Sequence, residues 1–418
     1  MLSCQAEPSR QTPTGTSVDY LDAQGLSDEV NVSYDAFFER PFIRDAGGSI
    51  CPTGSIGGSV CAPNGDVLYG ATIRAESEDC EGRPYVKEVT SDEQGRFQLD
   101  NLPASFTEVT IQSGVFTGRY GVDVEVGQLI GLTDSGTTKV CFPTNSAGLG
   151  VLSGDYDKVE NLISELGFDH EVICGGYGTH AEAQRLLLDP VRLATFDILF
   201  INCMSGVDLR ATNSETQQIK SNLIDFVRNG GSLYVSDLAS DFITQLWPDV
   251  AEFDTVNPSG RELDVCCFCP CDDVCEDGGE DVEICDNECS EESNESTSTD
   301  PTESLTCEER SSLPMNCIPS IPNGRGQTGE LPASVVSLFL QQATGLNNLS
   351  VVFNGDRWVE INRVDESVEV LVQSGTQPLM FLFQPYPNGG RVAYTSFHIH
   401  IQANEPMKKI LRSLIFRL

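Results

Sequence analysis

A chain of 418 residues exceeds what one ordinary hydrophobic core serves, so two or three structural units joined by linkers are expected. Its 25 Lys and Arg stand against 63 Asp and Glu, a formal charge of -38 that repels phosphate backbones and argues against nucleic acid as a partner. The 16 cysteines, most of them in loop-like sequence, predict disulfides and an extracellular or cell-surface location, bacterial and periplasmic or outer-membrane-associated.

No apolar run reaches the roughly 18 residues needed to span a bilayer, so membrane association is expected only through a lipid anchor. The Leu2-Ser3-Cys4 start, followed by polar sequence, is what a lipoprotein signal leaves behind, and it makes Cys4 a candidate lipidation site. Residues 1–48 lack periodicity and read as a flexible leader; only Tyr34 to Ile43, with its aromatics, reads as a docking segment.

From 49 to 145, short alternating apolar segments are separated by turn chemistry, the pattern of an antiparallel β-sandwich. Gly54 to Ser77 supplies a strand, a Pro-Asn-Gly-Asp turn and a second strand whose Ala71, Ile73 and Ala75 point inward. Thr90 to Ala104 supplies an Asp-Glu-Gln-Gly turn, a strand through Phe97 and Leu99, and a Leu-Pro corner. This succession resembles the carboxypeptidase regulatory-like domain, a transthyretin-related sandwich. The resemblance implies a non-catalytic stalk or adhesion role. Cys51, Cys61, Cys80 and Cys141 fall inside it and are read as two disulfides of open connectivity.

From 146 to 418 the period changes to strands alternating with helices, which predicts right-handed crossovers and a doubly wound α/β sheet of flavodoxin-like type. Gly148 to Asp155 reads as a buried strand run ending in Ser153-Gly154-Asp155, His170 to Gly176 as a second strand and Phe196 to Cys203 as a third. Val159, Leu162, Ile163 and Leu166 share one helix face, as do Ile219, Leu223, Phe226 and Val227. The pattern breaks near Phe253 and resumes at Leu331 to Gly345; strands through Phe353, Val372, Phe383 and Ser396 and a closing helix with Ile410, Leu411, Leu414 and Ile415 complete the sheet.

Residues 254–330 form an acidic, cysteine-rich insertion. Between 262 and 310 there are 18 Asp or Glu against the single basic residue Arg310. Cys266, Cys267, Cys269, Cys271, Cys275, Cys285, Cys289, Cys307 and Cys317 predict a disulfide-stapled loop rather than a zinc cluster, since the adjacent Cys266-Cys267 pair and the surrounding carboxylates fit paired zinc knuckles poorly. Its carboxylates suggest weak calcium binding without EF-hand ligand order.

Ligands of doubly wound sheets gather beyond the carboxyl ends of the parallel strands. There the sequence places Ser153 to Asp155, Cys174, Asn202, Cys203, Ser236, Asp237, His398 and His400. The run Gly230 to Ser240 after an amphipathic helix, with Arg391 to Ile401 near the end, resembles the class I glutamine amidotransferase-like superfamily and its trehalose-utilisation-type relatives. The resemblance implies a cysteine nucleophile at the elbow of that first run; Asp237 stands there instead, flanked by Val235 and Ala239 where glycines are expected. His398 holds the base position and His400 replaces the orienting carboxylate. Cys203 falls on the strand end that supplies the oxyanion loop. The expected function is therefore an exported binding or structural protein, with lipid anchoring at Cys4 as an option, a catalytically inactive amidotransferase-like domain, and cell-surface proteins or its own copies as partners. Two other readings stand beside it. One is a hydrolase in which Asp237, His398 and His400 do acid/base work or hold zinc or iron. The other is a subunit of an extracellular assembly.

Overall fold

The computed structural model describes residues 42–44, 50–133, 139–154, 156–176, 180–204, 207–256, 323–355, 358–397 and 403–418. Within the first of the two regions, alternation sets the architecture. One sheet holds β1 (Phe42–Arg44), β2 (Ile50–Cys61), β5 (Arg96–Pro103), β8 (Leu129–Leu132) and β9 (Val140–Cys141). The other orders β4 (Pro84–Thr90), β3 (Thr72–Glu78), β6 (Phe106–Ser113) and β7 (Phe116–Asp123) edge to edge. Ile56, Ala71, Ile73, Phe97 and Leu99 are buried between them, because successive side chains of a strand face opposite sides. The sandwich is not wholly antiparallel: β2 pairs in parallel with both β8 and β9. Disulfides join Cys51 to Cys80 and Cys61 to Cys141, which settles the connectivity the sequence leaves open.

The second region runs β10 (Leu149–Ser153), α1 (Val159–Leu166), β11 (Glu171–Cys174), α2 (His180–Leu188), α3 (Pro190–Leu193), β12 (Ile198–Ile201), α4 (Ser214–Arg228), β13 (Ser232–Ser236), α5 (Asp241–Thr244) and β14 (Ala251–Val256). It continues with β15 (Asn323–Gly324), β16 (Gly329–Val335), α6 (Leu338–Thr344), β17 (Asn348–Phe353), β18 (Glu360–Val364), β19 (Glu369–Ser374), β20 (Gln377–Phe383), β21 (Val392–Thr395) and α7 (Glu405–Ile415). A nine-stranded sheet has the order β11-β10-β12-β13-β21-β20-β19-β16-β17. The first five strands are parallel, and in chain order they read 2-1-3-4-5, a doubly wound arrangement. The remaining four are antiparallel, so the sheet is mixed rather than parallel throughout. Its extra strands include β16, which takes up the first half of the stretch beginning at Leu331.

The helices form for local reasons. Asn213 accepts from the Thr216 amide at 2.8 Å and Asn404 from the Met407 amide at 3.0 Å, so α4 and α7 start on capped amides. In α7 the buried Met407, Ile410, Leu411, Leu414 and Ile415 repeat at three- and four-residue steps, one face of a helix. Strand β13 divides its side chains between two layers: Tyr234 joins the cluster shared with α1, α7 and the sandwich, and Leu233 and Val235 join the cluster under α2, α4 and α5.

The sandwich and the α/β sheet bury their facing surfaces in one hydrophobic cluster. The ring of Phe116 of β7 packs at a tilt against those of Phe168 and Phe416, with centroids 4.5 Å and 5.2 Å away. Gly114, at φ 56°, lies in the hairpin that meets the chain end, where a β-carbon would come within 3.1 Å of Leu418 backbone atoms.

Candidate functional site

The candidate site is the carboxyl end of β13, where the strand turns sharply into a 3-10 turn, Asp237–Ser240, and then α5. Asp237 has φ 44°, in the left-handed region that non-glycine residues seldom adopt. The sequence argues against a tight elbow because Val235 and Ala239 replace glycines. The structure corrects this: the strained turn is formed at Asp237, and Val235 and Ala239, two residues to either side, carry buried side chains into the core under α5.

The Asp237 side chain is 4% exposed and engaged in the fold. Its Oδ1 accepts from the Val359 amide at 2.7 Å, just before β18, and its Oδ2 lies 3.5 Å from the Cys203 Sγ donor. The Tyr394 hydroxyl donates to the Asp237 carbonyl at 2.9 Å. Burial raises the Cys203 thiol well above its ordinary pKa, and the neighbouring Asp237 and Asp157 charges push it further. Cys203 is therefore a protonated donor, the opposite of the depressed, partly exposed thiol of a nucleophile.

Two residues that sequence reasoning did not single out, Asp157 and Glu160, complete the constellation. Asp157 is fully buried and accepts from Ser236 Oγ at 2.7 Å. Asn202 Nδ2 donates to Glu160 Oε2 at 2.9 Å, and burial pushes the Glu160 carboxyl above its usual range. Side chains from α1, β12 and β13 thus meet across the strand ends. No sequence signal marks Asp157 or Glu160, since their partners lie tens of residues away.

In a doubly wound sheet the ligand crevice opens between the first and third strands, here β10 and β12. In this chain the two strand ends approach closely there: a β-carbon on Gly154 would sit 2.5 Å from the Cys203 carbonyl oxygen. Ser153 is buried, and its Oγ accepts from the Gly175 amide at 3.3 Å. Cys174, at the end of β11, is disulfide-bonded and so offers no thiol. Its partner is not among the described cysteines, since the two sandwich pairs and the free Cys203 account for the others.

Asp155, His398 and His400 lie outside the described residues, as do Cys4 and the nine cysteines from Cys266 to Cys317. The three-ligand set of Asp237, His398 and His400 is therefore represented only by Asp237. Among the described residues no group of three or more His, Cys, Asp or Glu side chains is arranged to hold a metal ion. Among them, too, no helix is long and apolar enough to cross a membrane.

No family model and no curated protein matches this chain. Solved structures that resemble it include a glutamine amidotransferase from Thermotoga maritima, at 10% identity and a TM-score of 0.34, covering 65% of this chain and 97% of that one. Two cytoplasmic proteins from Salmonella typhimurium match at 8% identity with a TM-score of 0.35 (64% of this chain, 96% of that one) and 10% with 0.34 (65% and 98%). At this level of overlap the likenesses carry no argument about chemistry. The names of the two Salmonella proteins run against the extracellular or cell-surface location expected from cysteine usage, and that expectation is withdrawn.

Proposed function

We propose that this chain is a binding or structural protein whose amidotransferase-like α/β sheet has lost acyl-transfer chemistry, with the carboxypeptidase regulatory-like sandwich as its non-catalytic companion. The observation that carries this reading is the use made of Asp237: where a nucleophile would be presented to substrate, a buried carboxylate accepts the Val359 amide and ties the elbow to β18. A carboxylate committed to the fold is poorly placed to attack a carbonyl, and the thiol beside it is held protonated.

One observation favours the hydrolase reading, the strained backbone at Asp237, because sharp strand-to-helix turns present catalytic side chains in several enzyme classes. Two measurements on the purified full chain separate the readings. The first is metal analysis. The second is turnover of p-nitrophenyl esters, p-nitrophenyl glycosides and peptide p-nitroanilides by wild type, Asp237→Asn, His398→Ala and His400→Ala. The binding reading expects no stoichiometric zinc or iron and no turnover that these substitutions abolish. Stoichiometric metal, or turnover lost in Asp237→Asn with the fold intact, overturns it.

A further inference from the structure

The outer face of the β4-β3-β6-β7 sheet ends in a groove of about 580 Å³, lined by Pro84, Tyr85, Val86 and Phe106 and by the carboxylates Glu76, Glu78 and Glu108. Phe106 is 63% exposed and Val86 48%, and register places them on one face: Val86 opposite Glu76, Glu76 opposite Glu108, and Phe106 opposite Asp123. Like charges directly opposite on neighbouring strands are destabilising. Glu76 is partly compensated by Arg74 at 2.6 Å and Glu108 by Arg119 at 3.8 Å. Among the described residues, no basic side chain lies within ion-pair distance of Glu78 or Asp123, which flank the groove.

An aromatic ring in the open, flanked by carboxylates of which Glu78 and Asp123 have no ion-pair partner among the described residues, attracts a cation twice, through the ring quadrupole and through charge. A second copy of this chain is a poor occupant, because each carries a formal charge of -38. We propose that this groove docks a basic, extended peptide segment of a partner protein, with an Arg or Lys side chain laid on Phe106 and its charge held by Glu78, Glu108 and Asp123. The proposal deepens the binding reading and rests on it for its purpose, while drawing on none of the residues at the elbow.

The test uses the full chain and a fluorescein-labelled octapeptide of alternating arginine and leucine, with fluorescence anisotropy at physiological salt. Wild type is expected to bind it. Phe106→Ala and the double variant Glu78→Gln/Glu108→Gln should each weaken binding at least fivefold, with melting temperatures unchanged. The double variant Glu366→Gln/Asp249→Asn, which removes two exposed carboxylates elsewhere, should change it less than twofold. Equal losses in both charge variants would reduce the effect to net charge, and an unchanged Phe106→Ala or a wild type that does not bind would end the proposal. None of these outcomes touches the metal and turnover measurements at Asp237, so the two readings fail separately.

Discussion

At Asp237 backbone strain and a buried acceptor are coupled in one residue. Asparagine tolerates the left-handed region and keeps an oxygen for the Val359 amide, so Asp237→Asn is expected to cost no more than about 1 kcal/mol in urea unfolding. Asp237→Ala meets the same φ and leaves a buried amide unpaired, so about 2–3 kcal/mol is expected. If alanine were as well tolerated as asparagine, the anchoring role would fail. Glu160 gives a pH-dependent counterpart. Burial raises its carboxyl above the unfolded value, so the native state binds the proton more tightly. Stability from this group is present below the unfolded pKa and is lost as pH rises towards the folded one. Glu160→Gln, which keeps an acceptor for Asn202, should raise the melting temperature by about 2 °C at pH 8 and by less at pH 4. A gain larger at pH 4 would contradict this.

Among the elements, the two sandwich disulfides differ in what they constrain. Cys61–Cys141 spans 80 residues and Cys51–Cys80 spans 29. Loop-closure entropy assigns about 4.5 and about 3.6 kcal/mol respectively, so the Cys61→Ala/Cys141→Ala pair should lower the urea midpoint further than Cys51→Ala/Cys80→Ala. The reverse order would show native contacts outweighing chain entropy. Elements with strong local signals were legible in the sequence: α4 and α7 because apolar residues recur at helical steps after an asparagine cap, and β3 because Ile73 and Ala75 alternate inward. The stretch from Leu331 was harder, since its dense apolar residues suit either period and the chain divides it between β16 and α6. The parallel pairing of β8 and β9 with β2 left no trace, because register between distant segments is a tertiary choice. The site shows the same division. Asp237 was found by its place at a strand end, whereas its φ and its bond to Val359, 122 residues on, belong to backbone geometry that side-chain identity does not encode.

For the molecule as a whole, the sequence suggests separable units, yet the packing joins the two described regions. Phe116, fully buried, belongs to the sandwich but packs against Phe168 after α1 and Phe416 after α7. The junction is reinforced by polar contacts: Asn64 Nδ2 donates to the Glu165 carbonyl at 2.9 Å, and the Ser113 hydroxyl to the Phe416 carbonyl at 3.3 Å. A ring shared by two sheets couples their stabilities, because removing it opens a cavity in a cluster both depend on. Wild type should therefore unfold in one calorimetric transition, with calorimetric and van't Hoff enthalpies in agreement. Phe116→Ala should cost about 3–5 kcal/mol and lower that transition as a unit. Splitting into two peaks in wild type would show that the sandwich folds on its own terms. Splitting only in Phe116→Ala would show the opposite, that this ring supplies most of the coupling between the regions.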